Sequence, residues 1–482
     1  MNADLDELDG VGLGAAVRQG QVTPSELVER ALERIACHDG AFIEVCADAA
    51  RAAAAAYPGS GLEGTSPLAG VPTAIKDLCP TADMPTTFGS AAFTGLRPAV
   101  DGHSVSLLRR AGMISLGKTS TPEFGASAYT DNDIAPSART PWDPARTAGG
   151  SSGGAAVAVC TGMVPVALGT DGGGSLRIPA SACGVFGFKP SRGRVSNGPL
   201  GVNVSGLTVQ GPISRTVRDA AAMLDVLAVP MPGDPYWAPP LPDGETYLAA
   251  AQREPGRLRI ACYTAPFAGS RDKPDPECLA AFEEARSLLA GLGHVPEEID
   301  NPFSEALVEP FMTIWAAEQI AVPVPAESEH LLRPITRWWR EQARALTAAQ
   351  LFAALAALQL GARRAVEALA PYDAVLTPTL GTLPPAPSWF TGTADRLEEI
   401  TRQSAFSPYT AAFNITGQPA ASVPLHWTAE GLPAGVMLVG RPAGDAALLS
   451  LCGQLEAARP WTHRKPPAPL RQNGHCTCPF PQ

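Results

Sequence analysis

From Val71 to about Ala228 the chain alternates short apolar runs, glycine-rich turns and stretches of helical periodicity. No other feature constrains the fold as much. Strands separated by helices return the chain to one sheet whose faces the helices cover, so α/β architecture is expected. The alternation continues downstream. "RLRIACY" (Arg257 to Tyr263) reads as a strand, "PECLAAFEEARSLLAGLG" from Pro276 as a helix stopped by glycine, and Ser328 to Leu369 as an Ala-rich helical stretch. "YDAVLTP", "AASVPLHW" and "GVMLVG" read as further strands. Near the start, Thr23-Pro24-Ser25-Glu26 combines an N-cap, a first-turn proline and a capping-box glutamate, so "LVERALERIA" is predicted helical. Residues 229–256 are rich in Pro and Gly and read as a surface excursion. Nothing marks a second core. The expectation is one domain over residues 1–465, followed by a Pro-rich, poorly ordered tail over 466–482.

Composition narrows the partners. With 45% hydrophobic and 17% charged residues, the 482-residue chain is globular, not disordered. A net charge of −11 argues against nucleic acid or an anionic membrane, both of which select clustered Lys and Arg. No run of eighteen apolar residues exists, so no membrane-spanning helix is expected. The acidic start "MNADLDELDG" lacks the pattern of a secretion signal, which points to the cytoplasm. Eight of the ten cysteines, Cys37, Cys46, Cys79, Cys160, Cys183, Cys262, Cys278 and Cys452, show no ligand spacing and read as small, reduced hydrophobes. "HCTC" (His475 to Cys478) offers three ligands with no second cluster, whereas structural zinc takes four. No metal and no cofactor is assigned.

Two motif spellings mislead. Gly112 to Thr119, "GMISLGKT", matches a P-loop letter for letter. A phosphate cradle follows a strand and opens a helix, but here "SVSLLRRA" is helical, Gly112 is its stop and "MISLGKT" is the strand. Gly149 to Gly153, "GGSSG", spells a nucleophile elbow around Ser151. That device needs a strand running into the serine and a downstream histidine. The preceding "SARTPWDPARTAGG" has no strand character, and His294, His330, His426 and His463 have no distinctive setting.

A third segment fits acyl chemistry better. In "GTDGGGSLRIPA" (Gly169 to Ala180) three glycines precede Ser175. Successive N–H groups from Gly172, Gly173, Gly174 and Ser175 can converge on one oxygen, as an oxyanion hole requires. Without a credible histidine the base must be another group, and Ser–Lys pairs are a known solution. Lys76 ends the apolar run of "GVPTAIKDL". Burial there would lower its pKa toward the range of a general base. The alternative is an ordinary strand-end lysine paired with Asp77, and both readings stand at this point.

Together these segments resemble the amidase signature family, serine hydrolases with a Ser–cis-Ser–Lys triad. "GVPTAIKDL" is similar to the family's lysine segment, "GGSSGGAAVAV" to its Gly-Ser signature and "GTDGGGSLRIPA" to its nucleophile segment. "GVFGFKPSRGRVS", "YDAVLTPTL" and "FNITGQPAASVPL" with "GLPAGVMLVGRPAGDAALL" continue the resemblance, which spans roughly residues 8–460 in order. It implies an α/β/α sandwich on a large mixed sheet and hydrolysis of an amide C–N bond to carboxylate and amine or ammonia. By position, Ser175 matches the nucleophile and Ser151 the proton-relaying serine that follows a cis peptide bond. Lys76 matches the neutral lysine base, and Gly172 to Ser175 the oxyanion-hole backbone. Ser152, Asp171 and Arg177 match supporting positions. Water and a small-molecule amide are the implied partners, with a homodimer as a family-level expectation.

Departures are few. Gly172 stands where a larger residue is common, and "PSARTPWD" replaces a more usual run. Phe124 to Pro136 is the substrate rim by analogy. An esterase or urethane hydrolase would use the same triad. A nucleotide-binding protein or a non-catalytic scaffold with a relic site are the rivals from other classes.

Overall fold

The computed structural model describes residues 5–201, 203–267 and 273–467, together with the backbone of 470–471 and 474–475. The side chains of His475, Cys476 and Cys478, and most of the tail, lie outside the described residues.

Eleven strands form one mixed sheet: β1 (Phe42–Val45), β2 (Pro72–Lys76), β3 (Ile114–Thr119), β4 (Val166–Asp171), β5 (Phe186–Lys189), β6 (Val209–Ser214), β7 (Arg259–Cys262), β8 (Val295–Glu298), β9 (Ala374–Pro378), β10 (Ala420–Trp427) and β11 (Pro433–Gly440). Their spatial order is β1-β3-β2-β4-β6-β5-β10-β11-β9-β7-β8. Parallel pairing occurs in two places, β3-β2-β4 and β9-β7-β8, and the strands between are antiparallel. This is the α/β architecture that the alternation predicts, and each strand read from an apolar run is present.

The sheet is buried on both faces. Along β2 and β4 the period of two sends Ile75 and Leu168 into one apolar cluster and Ala74 and Ala167 into another. The second cluster is built of small residues because the helix Gly153–Cys160 lies directly on it, with Ala155 to Val159 fully enclosed. The signature's Gly-Ala run is thus a packing solution as well as a chemical one.

Local signals behave as their chemistry requires. The helix Pro24–Ile35 opens on a complete capping box between Thr23 and Glu26. In the P-loop spelling, the helix His103–Arg110 ends before Gly112, which has φ +75°, and β3 follows. The order is helix, glycine, strand. Lys118 is buried in β3, and its Nζ donates to Cys79 O at 2.7 Å and Thr86 Oγ1 at 2.7 Å. It holds a loop and faces no phosphate cradle.

One expectation is sharpened and one is corrected. The helical stretch Ser328 to Leu369 divides into two helices, Pro334–Arg344 and Ala348–Leu369, bent by 105°. Thr347 makes the break, because its side chain and Gln350 form a second capping box that starts a new helix. Cys37 is half-buried and disulfide-bonded, not a reduced core thiol. Cys46, Cys79, Cys160, Cys183, Cys262, Cys278 and Cys452 are free. Among the described residues no single helix is long and apolar enough to cross a membrane.

Candidate active site

β2 and β4 are parallel neighbours, with Ala74 opposite Ala167 and Ile75 opposite Leu168. Their carboxyl ends therefore lie side by side. Lys76 closes one and Thr170-Asp171 the other. In open α/β sheets this edge is where ligands bind, because the loops that leave it supply the working groups.

Lys76 is fully buried. Its Nζ donates to Ser151 Oγ at 2.6 Å and to Thr170 Oγ1 at 2.8 Å. Burial lowers its pKa to about 7, against the smaller opposing pull of Cys79 and Asp171. The pairing of Lys76 with its neighbour Asp77 does not form. Asp77 instead accepts from the Thr87 backbone N–H at 3.0 Å and lies 3.5 Å from Lys118 Nζ.

The peptide bond between Gly150 and Ser151 is cis. Glycine is required at 150, since a Cβ there would come within 2.7–2.8 Å of the Tyr129 backbone. Ser152 N–H donates to Ser175 O at 3.1 Å and Ser152 Oγ to Thr170 O at 3.1 Å, so this serine ties the signature loop to both β4 and the Ser175 loop.

The loop after β4 is organised around Asp171. Its carboxylate accepts from Gly174 N–H at 2.8 Å, from Leu176 N–H at 3.1 Å, and from Arg177 through Nε and Nη2 at 2.9 Å each. Burial alone would raise its pKa, but the Arg177 guanidinium, with Lys189 and the Asn414 hydrogen bond, holds it down to about 2. Asn414 closes the arrangement, with Nδ2 donating to Asp171 Oδ1 at 2.9 Å and Oδ1 accepting from Arg177 Nη2 at 2.7 Å. Thr410 Oγ1 donates to Gly173 O at 2.6 Å.

One sequence expectation contracts here. Gly174 N–H is engaged by Asp171 and is not free for an incoming oxygen. Among the described residues the N–H groups of Gly172, Gly173 and Ser175 have no such partner.

Ser175 lines a cleft of about 740 Å³, its open mouth included, with Gly125, Ser127, Phe311 and Trp315. Among the described residues no hydrogen bond joins Ser175 Oγ to Ser151 Oγ.

The comparisons with known proteins fit this geometry. The profile of the Amidase family matches residues 26–449. The chain belongs to the amidase signature family. A putative amidase of Synechocystis sp. (strain ATCC 27184 / PCC 6803 / Kazusa) is 36% identical over 94% of this chain and 89% of its own length. The 6-aminohexanoate-cyclic-dimer hydrolase of Paenarthrobacter ureafaciens is 34% identical over 95% of this chain and 96% of its own. A solved structure of 6-aminohexanoate cyclic dimer hydrolase superposes with a TM-score of 0.86 at 31% identity, over 96% of this chain and 99% of that one. Like other amidase signature enzymes, the chain hydrolyses amide bonds.

The fold brings Lys76, Ser151, Ser152, Asp171, Gly172, Gly173, Gly174, Ser175 and Arg177 of this amidase to one sheet edge. Sequence reasoning missed Thr170, Thr410, Asn414 and the cleft wall. Thr170 sits inside a segment already singled out, and its polarity within an apolar strand was the available signal. Asn414 and Thr410 lie about 240 residues beyond Asp171, where no local pattern announces the contact.

Proposed function

We propose that the chain hydrolyses a carboxamide through an acyl-enzyme on Ser175, with Ser151 and Lys76 as the proton relay. The observation that carries this is a fully buried lysine amine 2.6 Å from Ser151 Oγ, beside the cleft that holds Ser175.

Ser175 Oγ attacks the carbonyl carbon while its proton passes to Ser151, whose own proton passes to neutral Lys76 Nζ. The carbonyl oxygen becomes an oxyanion and accepts from the N–H groups of Gly172, Gly173 and Ser175. Collapse breaks the C–N bond, and the relay returns the proton to the departing nitrogen. Water then attacks the ester on Ser175 by the same route, releasing the carboxylic acid. Asp171 and Arg177 fix the loop that carries the three donors and the nucleophile, and Ser152 fixes its distance from Ser151.

Labelling by a fluorophosphonate separates the two serines. Ser175→Ala abolishes both labelling and amide turnover. Ser151→Ala keeps the nucleophile and loses its activation, so labelling slows by about 10²–10⁴-fold without changing its site. A covalent adduct mapped to Ser151 would overturn the assignment.

A further inference from the structure

The wall of the cleft opposite Ser175 comes from the helix Val308–Ala321. Val308, Phe311, Met312 and Trp315 are spaced i, i+3, i+4 and i+7, the repeat of one helix face. In a core helix that face is enclosed, but here all four side chains are half-buried and line the cleft. Phe311 and Trp315 stack with ring centroids 5.6 Å apart and planes 23° from parallel. Trp315 Nε1–H donates to Ala126 O at 3.3 Å, which fixes the indole across the cleft against the rim loop.

The indole reaches the Ser175 loop because of Gly172. A Cβ at 172 would stand 3.3 Å from Trp315 Cζ3 and 2.9 Å from Thr208 Oγ1, and one at 173 would stand 3.5 Å from Phe311 Cζ. The departure at Gly172 thus makes room for an aromatic side chain contributed from the distant helix. Trp339, from the helix Pro334–Arg344, and Phe267 bring the aromatic side chains of the lining to four. Among the described residues no Asp, Glu, Lys or Arg lines the cleft, and its polar side chains are neutral, as at Ser127, Gln403 and Ser404.

We propose that this cleft selects amides whose substituent is uncharged, apolar and flat, with Phe311 and Trp315 as the specificity-determining pair. The inference rests on the reading of Ser175 as nucleophile only for where the scissile bond lies. An aromatic ring entering the cleft exchanges water for ring faces and edges, which favour offset or edge-on stacking. An ammonium or carboxylate entering the same space loses its hydration and meets no counter-charge.

The test uses one primary amide on a common short alkyl chain that ends in phenyl, ammonium or carboxylate. The phenyl amide is expected to exceed each charged one by about 30-fold or more in kcat/KM. Phe311→Glu is expected to move the ammonium-to-phenyl ratio by at least about tenfold toward the ammonium amide, while fluorophosphonate labelling of Ser175 reports an intact fold. Met312→Glu places the charge on the adjacent residue, which also lines the cleft. Turnover of the charged amides within about threefold of the phenyl amide overturns the proposal, as does an unchanged ratio in both labelled variants. Binding to Ser175→Ala by calorimetry separates this inference from the mechanism. If Ser175 proves not to be the nucleophile, about tenfold tighter binding of the phenyl amide still supports the pocket reading, and equal binding of all three overturns it.

Discussion

Lys76 Nζ and Ser151 Oγ meet at 2.6 Å although 75 residues separate them in the chain, and both are shut off from solvent. An ammonium in that position would be desolvated with no carboxylate in contact, so the amine is half neutral at about pH 7 and largely neutral above it. Protonation below that value removes the base. Activity with an amide substrate is therefore expected to fall about tenfold per pH unit below about 7. The sign for stability is fixed by the same shift. Since the folded value lies below the free value of 10.5, the unfolded chain holds a proton that the folded chain releases. Stability attributable to this group rises with pH between about 7 and 10.5. A second buried lysine complicates the profile, because burial and the like charge of Arg177 bring Lys189 to about 7 as well. Lys76→Met is expected to lose at least about 10³-fold in kcat, and Lys189→Met to retain the midpoint of the pH–rate curve. A curve that is flat down to pH 5 in the parent enzyme would sink the neutral-lysine argument.

Thr170 offers a finer probe of the same amine. Its Oγ1 accepts from Lys76 Nζ at 2.8 Å and so stabilises the protonated form. Thr170→Val keeps the shape and removes the acceptor. The midpoint of the acid limb is expected to move below that of the parent, with a loss of about tenfold in kcat as the amine loses its second anchor. Should the midpoint stay in place while kcat falls, Thr170 positions the amine without setting its pKa.

Much of this site is legible in the sequence, for a physical reason. Lys76, Ser151 and Ser175 each lie in a short segment whose backbone has to take a special form, and such segments carry dense local signals in Gly, Ser and small residues. The β2–Lys76 and β4–Asp171 ends are each written within about ten letters. The cleft is different. Its wall of Val308, Phe311, Met312 and Trp315 has the spacing of any core-facing helix, and only the three-dimensional structure shows that the face looks into open space. Some misses were avoidable. Thr347-Ala348-Ala349-Gln350 is a capping box within an Ala-rich run, and it marks a helix start that the sequence reading did not place. The engagement of Gly174 N–H was not avoidable, because three glycines in a row give no hint of which donor folds back onto Asp171.

The Asp171–Arg177 pair is buried on both sides, and each partner is tied to Asn414. Removing one charge strands the other in a dry site, so Asp171→Asn is expected to destabilise the fold by about 3–5 kcal/mol in urea unfolding. The contribution of this carboxylate has the opposite pH sign to that of Lys76. Its folded pKa of about 2 lies below the ordinary 3.8, so the stabilisation is complete above about 3.8 and is lost as pH falls through about 2. Since Asp171 also holds Gly174 N–H, the loop that carries Ser175 loosens, and kcat is expected to drop by about 10² or more with little change in KM. A variant that unfolds earlier in urea yet keeps the parent kcat would separate the pair from the chemistry.

Gly150 tests how tightly the signature loop is clamped. The backbone of Tyr129 occupies the space where a side chain at 150 would begin. Tyr129 is itself held at two points, its hydroxyl donating to Glu399 at 2.6 Å and its ring stacked on Phe390 at 4.6 Å between centroids. Neither loop of this contact retreats easily, because Ser151 on one side is bonded to Lys76 and Tyr129 on the other to a buried carboxylate. Gly150→Ala is therefore expected to destabilise the protein by about 1–3 kcal/mol through overpacking. Any shift of Ser151 away from Lys76 Nζ compounds this in activity, since a misplacement of about 1 Å lowers rates by about 10². Urea unfolding and amide turnover of Gly150→Ala check the two effects separately. A Gly150→Ala variant that keeps the parent stability and turnover would show that the signature loop is free to shift.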